Sequence, residues 1–172
     1  MNITGGIYKG RKIVSPDEKY VRPTLSKIRM SVFNMLFSYL DDFKKYSFLD
    51  MFGGSGIMGI EAISRGFDDV TVFEKDKKTA KIITSNYESL GLTPRLFVGD
   101  SVEMIKNKYF DIIYIDPPYM SGIYEECLAN ITDTRLVILE HTEEIDLGKF
   151  ELIKQKKYGD KYITFIQLLR DL

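Results

Sequence analysis

From Tyr46 onward the chain alternates short apolar runs with helix-period segments, and few folds accommodate that order. "YSFLDMF", "VTVFEKD", "PRLFVGD", "FDIIYID" and "RLVILEHT" read as buried strands. Between them "IMGIEAISRG", "KKTAKIITSNYESLG", "SVEMIKN" and "GIYEECLANI" read as helices, the first ended by Gly66 and the second with Gly91 past its end. Strands alternating with helices predict an α/β fold with a parallel, doubly wound sheet covered on both faces. The last segment departs from this rhythm. "FELIKQKKYGDKYITFIQLL" reads as two strands joined by a Tyr-Gly-Asp-Lys turn, an antiparallel hairpin on the sheet edge. At the other end, "NITGGIYKGRKIVSP" reads as a hairpin or small β-ribbon around glycines, the start of a small β-hairpin/helix extension. Thr24 is placed to cap a helix over "LSKIRMSVFNMLFSYL". The expected organisation is an N-terminal extension over 1–45 and an α/β domain over 46–172.

Composition narrows the function classes. A chain of 172 residues, 44% of them hydrophobic, can bury a core without disulfides. One cysteine, Cys127, and one histidine, His141, exclude a disulfide framework and a cysteine- or multi-histidine metal site. No apolar run approaches about 18 residues, so a cytoplasmic protein with no membrane partner and no metal is expected. Charge is uneven: the first 30 residues carry a balance of +5 and the remainder −6. A basic arm on an acidic body fits a polyanionic partner touching one end, and it also fits a solvated surface.

"DMFGGSGIMGIE" holds Gly54-x-Gly56-x-x-Gly59 between a strand and a helix. Glycine lets the backbone turn sharply and approach a ligand. Glu74 ends the next strand, where a carboxylate can accept from ribose hydroxyls. Asp100 ends the strand after that, at the edge where an adenine would sit. Asp76 reads as a helix cap, and Asp100 can serve as one too. The glycine pattern fits a dinucleotide such as NAD and fits S-adenosylmethionine (SAM) equally well.

"DPPY", Asp116 to Tyr119, ends the fourth strand at the same edge. Its two prolines fix φ and remove two N–H donors. What remains are acceptors, the Asp116 carboxylate and the Pro117 carbonyl. Rigid acceptors suit an exocyclic amine on a nucleobase, a poor nucleophile whose lone pair is delocalised into the ring. Pulling on both its hydrogens favours a tetrahedral nitrogen with the lone pair free. Tyr119 can stack on the base. A methyl sulfonium in the neighbouring crevice completes an in-line transfer by positioning. An NAD enzyme gives no reason for such a clamp, so SAM is favoured.

Taken in order, "NITGGIYKGRKI", "RPTLSKIRMSVFNML", "FLDMFGGSGIMGIEAISRG", "FEKD", "GDS", "DPPY", "VILEH" and "KKYGDKYITFIQL" resemble the RsmD family, bacterial methyltransferases of 16S ribosomal RNA. The resemblance runs over essentially the whole chain. The glycine loop and "DPPY" are common to many amino-methyltransferases, whereas the N-terminal motifs are more specific. The resemblance implies a Rossmann-like class I SAM-dependent methyltransferase fold and methyl transfer to N2 of a guanine in 16S rRNA of the small ribosomal subunit. It implies that Asp50 and the loop of Phe52, Gly53, Gly54, Ser55 and Gly56 face the methionine end. Glu74, with Lys75 beside it, would hold the ribose, and Asp100 and Ser101 would meet the adenine. Asp116, Pro117, Pro118 and Tyr119 would form the catalytic clamp. Arg22, Thr24, Lys27, Arg29 and Asn34 match the N-terminal signature and would line the RNA side.

Phosphate contacts must place the target, and Lys9, Arg11 and Lys12 of the basic arm are candidates for that work. The clamp does not separate guanine N2 from adenine N6, so an adenine-N6 methyltransferase of DNA or RNA stands as an alternative, as does a non-catalytic SAM- and RNA-binding assembly factor. A monomer is expected. His141 and Cys127 read as structural.

Overall fold

The computed structural model describes residues 1–16, 25–118 and 122–170. Seven strands form one sheet: β1 Ser47–Asp50, β2 Asp69–Glu74, β3 Arg95–Val98, β4 Phe110–Ile115, β5 Thr134–His141, β6 Phe150–Tyr158 and β7 Lys161–Leu168. Their order is β3-β2-β1-β4-β5-β7-β6. The first five pair in parallel, as the strand–helix alternation predicts, and β7 runs antiparallel to both β5 and β6. The terminal hairpin thus inserts its second strand inside its first. Burial explains the choice: Ile163, Phe165 and Ile166 of β7 are buried, whereas β6 carries exposed Lys154, Lys156 and Lys157 and takes the rim. Lysines on an edge strand also discourage pairing with another chain.

The helices are α1 Ser26–Tyr39, α2 Ile57–Ser64, α3 Lys77–Glu88, α4 Ser101–Ile105 and α5 Ile123–Asn130, with a 3-10 turn at Phe43–Lys45. Alternate strand residues feed two apolar layers. One holds Phe48, Val72, Tyr114, Ile138 and Phe165 with residues of α1, α2 and α3. The other holds Leu49, Phe73, Ile113, Leu139 and Ile166 with α4 and α5. Ile3, Ile13, Ile28, Val32 and Leu36 belong to the first layer, so the N-terminal extension shares its core with the sheet. Within the extension Asn2 and Lys12 form an antiparallel bridge, flanked by the Ile3 amide donating to the Arg11 carbonyl at 2.9 Å and the Ile13 amide to the Met1 carbonyl at 2.7 Å.

A buried ionic node locks that extension down. Glu61 of α2 accepts from the Thr4 amide and hydroxyl at 2.7 Å each, from Arg29 Nε at 3.2 Å and from Arg65 Nε at 3.2 Å. Arg29 Nη2 donates onward to the Asn2 carbonyl at 2.7 Å. Two expectations change here. Arg29 is 1% exposed and joins ribbon to helices, so it does not line an RNA face. The N-cap of α1 is Leu25, with no side-chain cap, in place of Thr24. Thr24, Arg22 and Tyr119 lie outside the described residues. Among the described residues no helix is long and apolar enough to cross a membrane.

Candidate active site at the carboxyl edge of the sheet

Strand alternation and register put several charged groups on one face at one end of the sheet. Asp50 pairs with Val72 and Tyr114, Tyr114 with Ile138, and Glu140 with Ile163. Two residues further along the same alternation stand Glu74, Asp116 and Glu140, and across the antiparallel strand Lys161. Four carboxylates therefore crown the apolar column. A cavity of about 1460 Å³ opens over them. It is walled by the glycine loop, the ends of β1, β2, β4 and β5 and the first turns of α4 and α5, and it spans the point between β1 and β4 where the strand order reverses.

Asp50 is the least satisfied of these groups. It is buried, and its Oδ2 has no hydrogen-bond partner. Burial, then the Asp116 and Glu74 charges, pushes its carboxyl well above the usual carboxylate range, against partial relief from backbone N–H groups of Gly59 and Phe52. The glycine loop divides its work. Gly54 and Gly56 have φ of +58° and +83°, and Gly56 is the N-cap of α2. A Cβ on Gly53 would meet Val72 Cγ1 at 2.6 Å, and one on Gly59 would meet the Tyr87 hydroxyl at 2.5 Å. Those two glycines serve the close packing of loop and helix on β2 and α3. Ser55 is buried and Phe52 half-buried, and both line the cavity.

Glu74 is tethered across the loop. Its carboxylate accepts from the Gly54 amide at 3.0 Å and the Asp76 amide at 3.1 Å. Asp76 caps α3, accepting from the Thr79 amide at 2.8 Å. Asp100 caps α4, accepting from the Val102 and Glu103 amides at 2.9 and 3.2 Å, while also lining the cavity. Its other oxygen lies 3.9 Å from Lys75 Nζ. The Ser101 hydroxyl donates to the Met51 carbonyl at 2.6 Å, tying α4 to the end of β1. In the "DPPY" turn Asp116 is half-buried, Pro117 buried and Pro118 exposed, and all three face the cavity.

Sequence reasoning passed over part of the wall. Ser15 and Pro16 bring the end of the N-terminal ribbon to the cavity, and Tyr114, Tyr124, Glu140 and Lys161 line it further along. The acid at the end of "VILEH" is the sequence signal for Glu140. His141 is spanned by the Glu143 carbonyl at Nδ1 and the Thr164 hydroxyl at Nε2, each at 2.6 Å, and burial lowers its pKa. Of the basic-arm residues, Lys9, Lys12, Lys27 and Asn34 are exposed, and Arg11 is exposed with Nη2 donating to the Ser89 carbonyl at 3.0 Å.

A seven-stranded sheet of this order, with its cavity over the β1–β4 reversal, defines a Rossmann-like methyltransferase fold. Residues 1–167 match the family described as "Conserved hypothetical protein 95", and the chain belongs to that family, the RsmD family. It is 35% identical to Ribosomal RNA small subunit methyltransferase D of Buchnera aphidicola from Acyrthosiphon pisum, over 90% of this chain and 78% of that one. It is 31% identical to the protein of the same name from Escherichia coli K12, over 77% of this chain and 67% of that one. Among solved structures, Escherichia coli yhhF, which bears the name of a methyltransferase, superposes with a TM-score of 0.83 at 25% identity, covering 98% of this chain and 97% of that one.

Proposed function

We propose that this protein transfers a methyl group from SAM to the exocyclic N2 amine of a guanine in 16S rRNA of the small ribosomal subunit. The observation that carries the reading is the row of Glu74, Asp50 and Asp116 along one cavity, with the buried Asp50 oxygen left without a partner. Such a row suits a ligand carrying positive charge. SAM has a sulfonium and an ammonium, whereas the diphosphate of a dinucleotide would meet carboxylates. When bound, SAM supplies an electrophilic methyl group.

The remaining roles fall to the chain. Asp50 and the loop from Phe52 to Gly56 hold the methionine end, and ionised Asp50 answers its ammonium. Glu74 accepts from the ribose hydroxyls, with Lys75 at the rim, and Asp100 and Ser101 border the adenine. Asp116 and the Pro117 carbonyl accept the two N–H bonds of the target amine. That orients the nitrogen lone pair, and Asp116 is placed to take the proton the amine sheds. Pro117 and Pro118 keep the acceptors rigid, and Tyr119 stacks on the base. Lys9, Arg11, Lys12 and Lys27 meet phosphates, and Arg22, Thr24 and Asn34 contribute to RNA binding. The family names of the relatives support rRNA as the substrate class.

The test is methyl transfer from labelled SAM to small subunits from cells lacking this gene, with the product nucleoside identified by mass. N2-methylguanosine in 16S rRNA is the expected product. N6-methyladenosine would overturn the target base, and SAM binding without transfer would overturn catalysis.

A further inference from the structure

Beside Asp116 the sheet edge holds a second group of polar side chains that the methyl-transfer reading leaves without work. Glu140 ends β5 and is 1% exposed. One of its oxygens accepts from Lys161 Nζ at 2.7 Å, and the other accepts from the Tyr114 hydroxyl. The Tyr124 hydroxyl donates to the Glu140 backbone carbonyl. Burial, with the Glu140 and Asp116 charges, keeps the proton on Tyr114. Tyr114 is therefore a fixed donor, Glu140 a fixed acceptor, and the Lys161 ammonium is pinned by a carboxylate that cannot turn away. Lys161 itself is partly exposed, its side chain at 16%, and it lines the same cavity as Asp116 and Pro117.

A buried ion pair is a poor way to gain stability, because an apolar pair of similar size does as well or better. Its arrangement here matches a ligand. Ile115 pairs with Leu139, so Asp116 and Glu140 stand at neighbouring strand ends. Glu140 pairs with Ile163, so Lys161 opens the next strand over. Across β4, β5 and β7 the charged groups run acceptor, acceptor, donor. The Watson–Crick edge of guanine runs amine donor, N1–H donor, O6 acceptor, which is the complement. Adenine follows its amine with an N1 lone pair, which would face the Glu140 charge.

We infer that Lys161 is a specificity-determining residue: held by Glu140 and Tyr114, its ammonium donates to O6 of the guanine whose N2 amine lies at Asp116 and Pro117. This rests on the guanine-N2 reading above. Glu140 both holds Lys161 and faces N1–H, and Tyr114 is a positioning residue that acts through Glu140.

The test compares kcat/KM of the full chain and of Lys161→Met on small subunits reconstituted around 16S rRNA ligated to carry either guanine or 6-thioguanine at the mapped target. 6-Thioguanine keeps the N2 amine and N1–H and replaces O6 by a sulfur that accepts hydrogen bonds weakly. The wild type is expected to prefer guanine by about 10-fold or more, and Lys161→Met to bring that ratio to within about 2-fold. Since Lys161→Met leaves Glu140 unpaired, the double variant Glu140→Gln/Lys161→Met is measured alongside, with the same collapse expected from a folded protein. An unchanged base ratio in both variants would overturn the assignment and leave the pair a structural one. Product mass separates this failure from that of the underlying reading. N2-methylguanosine with an unmoved ratio sinks Lys161 alone, whereas N6-methyladenosine from the wild type sinks the guanine reading and Lys161 with it.

Discussion

Two buried acids stand close in sequence and face opposite fates. Glu61, in α2, accepts four hydrogen bonds from Thr4, Arg29 and Arg65 and is fully enclosed. Asp50, at the end of β1, is as deeply buried, yet one of its oxygens finds no donor and the charges that act on it are the like charges of Asp116 and Glu74. Burial of a carboxylate is costly unless paired, so the fold has resolved that cost at Glu61 and left it standing at Asp50. The difference separates a staple from a socket. The Glu61 node ties the N-terminal ribbon and α1 to the sheet domain. The Asp50 row awaits positive charge from outside.

The sharpest break of this comparison is Glu61→Ala. Removing the acid strands Arg29 in the core, and the loss should be about 3–5 kcal/mol, read by urea unfolding. A loss under about 1 kcal/mol would mean that the node is not the staple. Next comes Asp116→Ala on the socket side. Methyl transfer should fall by roughly 100-fold or more while SAM affinity and unfolding midpoint stay near wild type. Near-normal turnover would remove Asp116 from the clamp.

Asp50→Asn should act in the opposite sense to Glu61→Ala. It removes the cost of burying an ionisable carboxyl beside like charges, so the unliganded protein should be as stable or more stable at neutral pH, while SAM affinity drops about 10-fold. The pH dependence follows from the raised folded pKa. The unfolded carboxyl titrates near its ordinary value of 3.8, and the folded one well above it. Its stabilising share is therefore complete below about 3.8 and is lost as pH rises through the folded value. Urea unfolding against pH should show that slope in the wild type and lack it in Asp50→Asn. The smallest effect belongs to the basic arm. Lys9→Ala or Lys12→Ala should each reduce the salt slope of rRNA binding by roughly 0.7–1, measured by filter binding at several salt concentrations. Unchanged slopes would make these lysines solvated surface.

Much of this architecture was readable in the sequence because the information is periodic and local. Strands β1 to β5 and helices α2 to α5 announce themselves by apolar runs and by turn residues such as Gly66 and Gly91, and the cavity follows from where those strands end. What depends on register or burial was not readable. Arg29 looks like a basic-arm residue in a list of charges. Only its spacing with Val32, Phe33 and Leu36 puts it on the buried face of α1. Glu140 and Lys161 are 21 residues apart and meet only because β7 inserts between β5 and β6. Gly53 and Gly59 read as ligand-approach glycines, yet Val72 and Tyr87 are what a side chain there would strike. Asp100 shows both faces of the problem, since one carboxylate caps a helix and walls the cavity at once.

The comparison between socket and staple stands or falls on calorimetric titration of the full chain with SAM in two buffers of different ionisation enthalpy. Over a series of pH values the socket account predicts one SAM per chain, with a proton released where the pH lies below the raised pKa of the folded carboxyl, as Asp50 ionises to meet the incoming positive charge. Absence of SAM binding, or binding with no proton release at any pH in the series, would contradict it.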